Sequence, residues 1–413
     1  MMDAWRKIRL GDACKTNTDS YSPKEEWDFV NYLDTGSITD NRINFIQHID
    51  VKSEKLPSRA RRKVKKDSII YSTVRPNQRH FGIIKSQPEN FLVSTGFAVI
   101  DTDTQVLDAD FLYYLLTQST LVEALHAIAE QSTSAYPSIK PSDIEDLEIE
   151  IPDLATQKKI AGVLWSLERK QAQNTKVNEN LEQQARALFQ SMFITSEERY
   201  SWESGVFSDL IESTLGGDWG KESPTGNNTE MVYCIRGADI PEVRAGNKGK
   251  MPTRYILPKN YAAKHLLPGD IVVEISGGSP TQSTGRVAAI SQSLLDRYDK
   301  GMVCTNFCKA IKPKTGYSMF VYYYWQYLYD RNVFFLYENG TTGIKNLDLV
   351  GFITTEEIVI PPAHLVKHFD DYCQIIFDQI FANGLENEQL AIIRDTLLPR
   401  LMSGEIDVSQ LSI

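Results

Sequence analysis

Ile149-Glu-Ile-Pro152-Asp-Leu-Ala-Thr-Gln157-Lys-Lys-Ile160 is the stretch that decides the fold, because a second copy begins 209 residues later at Ile358-Val-Ile-Pro361. Each copy predicts a short apolar strand, a proline that ends the strand, and then a long helix. An internal repeat of this length predicts a duplicated architecture. The same offset, without a gap, places Lys158 on Lys367, Asn174 on Asn383, Asn178 on Asn387, Leu181 on Leu390 and Leu188 on Leu397.

Both predicted helices carry a seam whose residues alternate in steps of four and three, the pattern of a coiled coil. Two asparagines occupy the middle of each seam. Buried seam asparagines cost stability but fix register, and in an antiparallel pair they would face one another. The alternative, an ordinary amphipathic helix in each of two unrelated domains, does not account for the ungapped offset. The predicted seam residues are Ile160, Leu164, Leu167, Asn174, Asn178, Leu181 and Leu188 in the first helix, and Ile376, Ile380, Asn383, Asn387, Leu390, Leu397 and Leu401 in the second.

The segments that precede the two helices also resemble one another. Each alternates short β-branched runs with turn residues and holds one or two short helices, which indicates an α+β domain. We therefore predict two similar α+β globular domains separated by two long helices that form an antiparallel coiled coil, a pseudo-twofold internal repeat. The matching stretches are Lys66–Tyr71 with Gly269–Glu274, Val93–Phe97 with Val303–Phe307, Phe111–Tyr114 with Phe320–Tyr323, and Ile139-Lys140 with Ile344-Lys345. The predicted boundaries are 1–150 for the first domain, 151–195 for the first helix, 196–357 for the second domain, and 358–413 for the second helix and C-terminal tail.

The length, composition and net charge of the chain limit the classes of protein to which it can belong. The chain has 413 residues, 42% of them hydrophobic, which suffices for two or three globular domains. No run of 18 apolar residues exists and the first residues are polar, so we expect neither a membrane partner nor a signal peptide. Five scattered cysteines predict a reducing cytoplasm rather than a disulfide framework. The net charge of −10 disfavours nucleic acid as a whole-surface partner, but a local basic patch can still bind phosphate.

The sequence lacks the motifs of common catalytic sites. It contains no Gly-x4-Gly-Lys-Ser/Thr phosphate loop, no Gly-x-Gly-x-x-Gly turn, no Asn/Asp-Pro-Pro-Phe/Tyr run and no His-Glu-x-x-His or Cys-x-x-Cys pair. His364 and His368 have a spacing that can bind zinc, but their repeat partners Ala155 and Lys159 cannot, so we interpret them as a solvated helix face. We predict no catalytic residue, no cofactor and no metal.

Basic residues cluster in the first domain. Residues 52–66 hold eight lysines and arginines against a single acidic residue, Glu54, and such side chains neutralise phosphates. The run is followed by Tyr71-Ser-Thr-Val-Arg75-Pro-Asn77-Gln78-Arg79-His80, which is rich in the side chains that bond to guanine and adenine edges. The alternative is a solvated charged face without a ligand. The candidate DNA contacts are Arg59, Arg61, Arg62, Lys63, Lys65, Arg75, Asn77, Gln78, Arg79 and His80.

Two further clusters have the composition of nucleic-acid-binding loops. Ser276, Ser279, Gln282, Ser283 and Arg286 occupy the place in the second domain that matches residues 71–80 in the first. Late in each domain, hydroxyls, amides and a lysine lie on a loop bent by proline or glycine, a composition that suits phosphate and base contacts. A loop that only caps the strand before the long helix explains these residues equally well. The late candidates are Ser134, Tyr136 and Lys140 in the first domain and Thr341, Thr342 and Lys345 in the second.

Over its whole length the chain resembles the specificity subunit of a type I restriction-modification system. The resemblance rests on the alternation of two domains with two helices, on residues 149–160, and on Leu397-Leu-Pro-Arg-Leu401-Met-Ser-Gly-Glu-Ile406. In the first copy Gln190-Ser191 replaces the Pro399-Arg400 of this ending. The resemblance implies two target-recognition domains, each reading half of a bipartite double-stranded DNA target. It implies that the helices act as a spacer on which methyltransferase subunits dock, and that restriction subunits join through the complex.

The function that follows is a non-catalytic, sequence-specific DNA-binding subunit that directs methyltransferase and restriction subunits to their target. The alternative is a coiled-coil scaffold that binds protein partners only. A mobility-shift experiment with duplex DNA and the partner subunits separates the two. A third hypothesis, a stand-alone nuclease or methyltransferase, is disfavoured by the missing motifs.

Overall fold

A computed structural model describes residues 5–132, 136–279, 281–340 and 344–411. Contacts within the chain divide it into two compact units, Met1–Glu168 with Ile392–Ile413 (unit 1) and Arg169–Ala391 (unit 2). Each unit contains one mixed domain together with parts of both long helices. The structure thus confirms the α+β class and the duplication of a domain followed by a long helix.

Unit 1 is built around two four-stranded sheets. Its strands are β1 (Arg6–Arg9), β2 (Cys14–Thr16), β3 (Phe29–Leu33), β4 (Ile38–Thr39), β5 (Arg42–Ile43), β6 (Gln47–Asp50), β7 (Ala60–Lys63), β8 (Ile69–Ser72), β9 (Phe81–Ile83), β10 (Phe91–Ser94), β11 (Phe97–Thr102) and β12 (Glu148–Ile151). Its helices are α1 (Ala109–Thr117), α2 (Ser119–Glu130), α3 (Pro141–Glu145) and the first part of α4 (Leu154–Phe189). The sheet orders are β6-β3-β10-β7 and β2-β11-β8-β9, with β10 parallel to β3.

Unit 2 repeats this plan with different loops. Its strands are β13 (Glu203–Val206), β14 (Ile211–Gly216), β15 (Glu230–Ile235), β16 (Thr253–Ile256), β17 (Ile271–Glu274), β18 (Ser276–Gly277), β19 (Val287–Ala289), β20 (Met302–Cys304), β21 (Cys308–Pro313), β22 (Glu338–Asn339), β23 (Lys345–Leu347) and β24 (Glu357–Ile360). Its helices are α5 (Ile240–Arg244), α6 (Pro258–Lys264), α7 (Gln292–Leu295), α8 (Ser318–Asp330), α9 (Leu349–Thr355) and most of α10 (Ala363–Met402). A single π-helical turn, Gln190–Ile194, follows α4.

The sheet topologies show that the two domains are copies of one design. The order β14-β21-β17-β19 matches β2-β11-β8-β9, and β16-β15-β20 matches β6-β3-β10. The central pair is parallel in both domains, β3 with β10 and β15 with β20. The antiparallel pairs β1-β12 and β13-β24 close each domain immediately before its long helix. Within the described residues of unit 2, no strand takes the place of β7.

The long helices run antiparallel within each unit. In unit 1, Ile160 and Leu164 share a buried cluster with Leu401. In unit 2, the Nδ2 atom of Asn174 donates to Oδ1 of Asn387 at 3.0 Å, and Nδ2 of Asn383 donates to Oδ1 of Asn178 at 2.8 Å. The predicted seam residues are buried at Ile160, Leu164, Asn174, Asn178, Ile376, Ile380, Asn383 and Leu401, and half-buried at Leu167, Leu181, Leu188, Asn387, Leu390 and Leu397.

The asparagine pairs also anchor the domain of unit 2 to its helices. Nδ2 of Asn178 donates to the carbonyl of Ala245 at 3.2 Å as well as to that of Ile380 at 3.0 Å. The adjoining backbone is so close that a Cβ on Gly384 would lie 1.9 Å from the carbonyl oxygen of Gly246. Helix α10 and the loop after α5 can therefore meet only because position 384 lacks a side chain.

The cores explain why each domain holds its shape. The core of unit 2 centres on α8, where large aromatic side chains, Trp325 among them, are fully buried. The core of unit 1 joins α1 and α2 to the β2-β11-β8-β9 sheet and to the ends of both long helices. Within the part of the chain that the structure describes, none of the helices combines the length and apolar character needed to cross a lipid bilayer.

We expect Gly384→Ala to lower the free energy of unfolding by about 1–3 kcal/mol, because the new methyl group forces apart two packed backbones. Alanine is the better helix residue by about 1 kcal/mol, so a net loss identifies the steric conflict. Chemical denaturation measures the change. Gly216→Ala, at the end of strand β14, is the control, since nothing lies within 4 Å of a Cβ at position 216, and it should not lower the free energy of unfolding. Equal stability of Gly384→Ala and the parent protein would contradict the close approach.

Candidate nucleic-acid interface

The turn after β8 meets the loop before α3 along one backbone edge of unit 1. The amide of Thr73 donates to the carbonyl of Gly96 at 2.8 Å, and the amide of Ile139 donates to the carbonyl of Thr73 at 2.8 Å. The amide of Arg75 donates to the carbonyl of Pro137 at 2.9 Å. The turn before β11 extends this network, because the amide of Thr95 donates to the carbonyl of Arg59 at 2.8 Å. We call residues 59, 73–75, 95–96 and 136–139 edge 1.

Unit 2 forms the same edge. The amide of Ile275 donates to the carbonyl of Phe307 at 2.9 Å, and the amide of Leu347 donates to the carbonyl of Ile275 at 2.8 Å. β18 pairs antiparallel with β23, so that Ser276 lies opposite Asn346 and Gly277 opposite Lys345. The Oγ of Ser276 also donates to Oδ1 of Asn346 at 2.5 Å. We call residues 275–277, 306–307 and 344–347 edge 2.

The hydrogen-bond registers define which residues correspond between the edges. Thr73 and Ile275 each accept from the loop before the next helix and donate to the turn before the next strand. The correspondence therefore matches Gly96 with Phe307, Ile139 with Leu347 and Tyr136 with Ile344. The sequence comparison was wrong at these positions, because it matched Phe97 with Phe307 and Ile139 with Ile344. Residues of the same type there occupy different positions in the hydrogen-bonded strands.

The residues of the predicted basic run differ in exposure and in their partners. Arg59 is exposed and belongs to edge 1, whereas Lys63 lies at the other end of β7, about 13 Å away at 3.3 Å per residue. Lys63 bonds Glu25 at 2.5 Å, and exposed Lys65 lies 3.5 Å from Asp101. Two arginines between these ends, Arg61 and Arg62, are half-buried. Burial lowers the pKa of Arg62, whose buried Nε has no hydrogen-bond partner among the described residues.

The turn after β8 divides its side chains between solvent and the interior of unit 1. Arg75, Asn77 and Gln78 are exposed. The Nε of Arg79 donates to Oδ1 of Asp40 at 2.6 Å, and Nδ1 of His80 lies 2.6 Å from the carbonyl oxygen of Ile38. Arg75 and Arg79 both have left-handed backbones, with φ of 48° and 57°. Such strain in non-glycine residues concentrates at functional sites.

The late cluster of unit 1 joins this turn. The guanidinium of Arg75 lies 5.5 Å from the ring centre of Tyr136, a cation–π contact beside the paired backbones. Lys140 is exposed and precedes the first turn of α3, where its amide donates to Oδ2 of Asp143 at 2.7 Å. Ser134 lies outside the described residues, as do Thr341 and Thr342 of the second domain. The turn after β8 and the late cluster of unit 1 are thus brought together.

Both charged candidates in unit 2 are bound to carboxylates of their own domain. Arg286 donates through Nε and Nη2 to both oxygens of Glu274, at 2.7 and 2.6 Å. Lys345 donates to Oε2 of Glu338 at 2.7 Å. Burial raises the pKa of Glu338, but hydrogen bonds from Lys345 and from Thr284 outweigh it, and the pKa is lowered overall. The positive charges of Arg286 and Lys345 are therefore largely neutralised within unit 2.

The uncharged candidates of unit 2 have mixed environments. Ser283 is buried, and the half-buried Ser279 accepts from the amide of Gln282 at 3.0 Å, which closes a tight turn. Gln282 is exposed and Ser276 is half-buried within edge 2. Neither edge has the donor set of a metal site, and no cluster of three or more histidine, cysteine or acidic side chains suited to a cation occurs among the described residues.

Sequence reasoning missed the apolar residues of edge 2. Phe307 and Ile344 are 58% and 63% exposed, although both are large hydrophobic side chains. Phe307 lies in the turn between the buried strands β20 and β21. Small polar residues are usual in such turns, so the aromatic residue was the signal that the sequence offered. A second missed feature is Asp40, which holds Arg79 from the turn between β4 and β5.

Comparisons with known proteins agree with one another. The family described as "Type I restriction modification DNA specificity domain" matches residues 2–183. The Type I restriction enzyme HindI specificity subunit of Haemophilus influenzae is 24% identical, over 98% of this chain and all of that protein. The Type I restriction enzyme MjaIX specificity subunit of Methanocaldococcus jannaschii is 26% identical, over 73% of this chain and 70% of that protein. The crystal structure of a Type-I restriction-modification system S subunit from M. genitalium has the same fold, with a TM-score of 0.56, 14% identity and coverage of 97% and 96% of the two chains.

We expect Arg286→Ala to lower the free energy of unfolding by about 2 kcal/mol, because it leaves the buried carboxylate of Glu274 without its partner. The half-buried position of Arg286 keeps the loss below that of a fully buried pair. Thermal or chemical unfolding provides the measurement. Gln282→Ala, an exposed neighbour, is the control and should leave stability unchanged. If Arg286→Ala unfolds like the parent protein, the ion pair has no structural role.

Proposed function

This chain belongs to the specificity-subunit family of type I restriction-modification systems, and we propose that it is the subunit that recognises DNA. It binds double-stranded DNA and reads a bipartite target, with one domain for each half. In this role it contributes recognition, and the chemistry of methylation and cleavage belongs to partner subunits. The relatives that match nearly the whole chain or most of it are named as specificity subunits, which supports this assignment.

The observation that carries the proposal is the repetition of one backbone edge with different side chains. Edge 1 and edge 2 share their main-chain hydrogen bonds, but exposed Arg75 and Tyr136 stand where Gly277 and Ile344 stand in the second domain. A protein that reads two different half-sites requires this combination. The shared framework fixes how each domain is positioned on the DNA, and the side chains determine which bases are recognised.

Within edge 1 we assign base reading to Arg75 and phosphate binding to Arg59. Arg75 is exposed, and its guanidinium is oriented by the ring of Tyr136, so its planar fork is available for the two acceptors of a guanine. Arg59 is exposed at the same edge. Arg79 is a positioning residue, since its bond to Asp40 holds the strained turn that presents Arg75.

The long helices supply the docking surface for methyltransferase subunits in this proposal. In unit 2, α10 turns Ile375 outward with 71% exposure, together with Tyr372 at 37% and Leu385 at 41%. Large apolar side chains on the outer face of a helix that already buries its seam indicate a protein-binding surface. Restriction subunits are recruited through the complex so formed.

A mobility-shift experiment tests the proposal. The purified chain is assembled with its methyltransferase subunits and mixed with duplexes that contain or lack the methylated target mapped in cells. We expect a retarded complex that survives excess non-specific DNA only with the target duplex. A scaffold that binds proteins alone would assemble with the subunits and leave the mobility of both duplexes unchanged.

We expect Arg75→Ala to reduce discrimination at one base pair, because a bidentate arginine–guanine contact contributes about 1–3 kcal/mol of discrimination. Arg59→Ala should instead weaken all sequences alike and lower the slope of log K against log salt by about one. Competition binding with single-base variants at several salt concentrations measures both effects.

Lys65→Ala is the matched control for these variants, because Lys65 is exposed and basic but lies away from edge 1. It should leave both discrimination and salt slope at their original values. If Lys65→Ala alters the slope and Arg59→Ala does not, the interface lies at the other end of β7.

We further expect the two domains to read independently. Replacing residues 200–357 with the corresponding domain of a related subunit should change one half-site and leave the other intact, because each edge is complete within its own unit. Sequencing of methylated sites in cells that carry the chimera gives the result. A simultaneous change in both half-sites would contradict independent reading.

A further inference from the structure

We propose that Phe307 reads a thymine through apolar contact with its 5-methyl group. This thymine lies in the second half-site, the half of the target that the domain of unit 2 recognises. This inference rests on the proposed function and deepens it, because it names the base that edge 2 selects. Thymine alone among the four bases carries a methyl group in the major groove, and phenylalanine is one of the side chains that contact it.

The backbone of Phe307 is fixed at edge 2 while its side chain faces solvent. Its carbonyl accepts from the amides of Ile275 at 2.9 Å and Ser276 at 3.2 Å, and the residue is 58% exposed. The two-residue turn that it closes is closed by Gly96 in unit 1. An aromatic side chain is therefore not required to form this turn.

The matching position in unit 1, Gly96, has little room for a side chain, whereas position 307 carries an exposed phenylalanine. In unit 1 a Cβ on Gly96 would lie 2.8 Å from Cγ2 of Thr35, which is two residues beyond the end of β3. In unit 2 the residue two beyond the end of the matching strand β15 is Gly237. A Cβ on Gly237 would lie 2.4 Å from Oε1 of Glu274, so this glycine accommodates that carboxylate, while the exposed side chain of Phe307 projects from edge 2.

The surroundings of Phe307 favour an apolar contact over a charged one. Ile344, 63% exposed, lies on the far side of β18, three residues before Leu347, whose amide donates to the carbonyl of Ile275 beside Phe307. Two cations near this edge, Lys345 and Arg286, are bonded to Glu338 and Glu274, and a third, Lys309, is half-buried two residues after Phe307. Single exposed hydrophobic residues are common on protein surfaces. Two on one edge, beside neutralised cations, select the methyl group of a thymine rather than guanine or phosphate.

The test removes the methyl group from the DNA and the ring from the protein. The chain assembled with its methyltransferase subunits is titrated with duplexes of the mapped target in which each thymine of the second half-site is replaced in turn by deoxyuridine. We expect one position at which the parent complex loses roughly four-fold in affinity, the effect of one buried methyl group. Phe307→Gly, which installs the residue of the other unit, and Phe307→Ser should bind the thymine and deoxyuridine duplexes equally at that position.

Two controls separate this contact from general effects. Leu336→Ala removes another apolar side chain of unit 2, 82% exposed and outside edge 2, and should keep the four-fold sensitivity. Deoxyuridine in the first half-site should affect the parent and Phe307 variants alike.

The inference would be overturned if no thymine in the second half-site were sensitive to loss of its methyl group. It would also be overturned if the deoxyuridine penalty were the same in the parent and the Phe307 variants. An equal penalty together with weaker binding of the variants would indicate a ring inserted between bases. Failure of the proposed function is distinguishable, because the parent complex would then show no preference for the target duplex at all.

Discussion

The paired asparagines of the long helices are the constraint on which the architecture depends. A buried amide costs free energy unless it is hydrogen-bonded, so a helix register that separates Asn178 from Asn383 is disfavoured, whereas an apolar seam would tolerate it. Asn178 uses its second hydrogen to bond the carbonyl of Ala245. Register and domain position in unit 2 are therefore fixed by the same side chain. The missing Cβ of Gly384 allows the close approach that this bond requires.

The two domains share one framework but differ in the exposed side chains of their edges. The parallel pair at the centre of one sheet, the strand pair before each long helix and the edge beside the final loop occur in both domains. Within that framework, Arg75 and Tyr136 of edge 1 correspond to Gly277 and Ile344 of edge 2. Main-chain hydrogen bonds do not depend on side-chain identity, which explains how the edges can diverge while their geometry persists.

The framework was predictable from the sequence, whereas much of the interface was not. The ungapped repeat, the seam and the strand–proline–helix units follow from local periodicity, and the structure has them at Pro152 and Pro361. The composition of their loops also suggested Arg286 and Lys345 as DNA contacts. Their carboxylate partners could not be predicted, because these contacts form only in the folded chain. Phe307 could not be identified from the sequence, because its proposed role depends on the register of the hydrogen-bonded strands. The sequence comparison matched it with Phe97, one position away from its structural counterpart, Gly96.

The central claim is that one chain reads two half-sites with two copies of one edge. It is tested most directly by sequencing methylated positions across the genome of cells that carry the complete system, with and without this chain. The account predicts a single bipartite motif with a constant gap, which disappears when the chain is removed. A single uninterrupted motif, or methylation that persists unchanged without the chain, would contradict it.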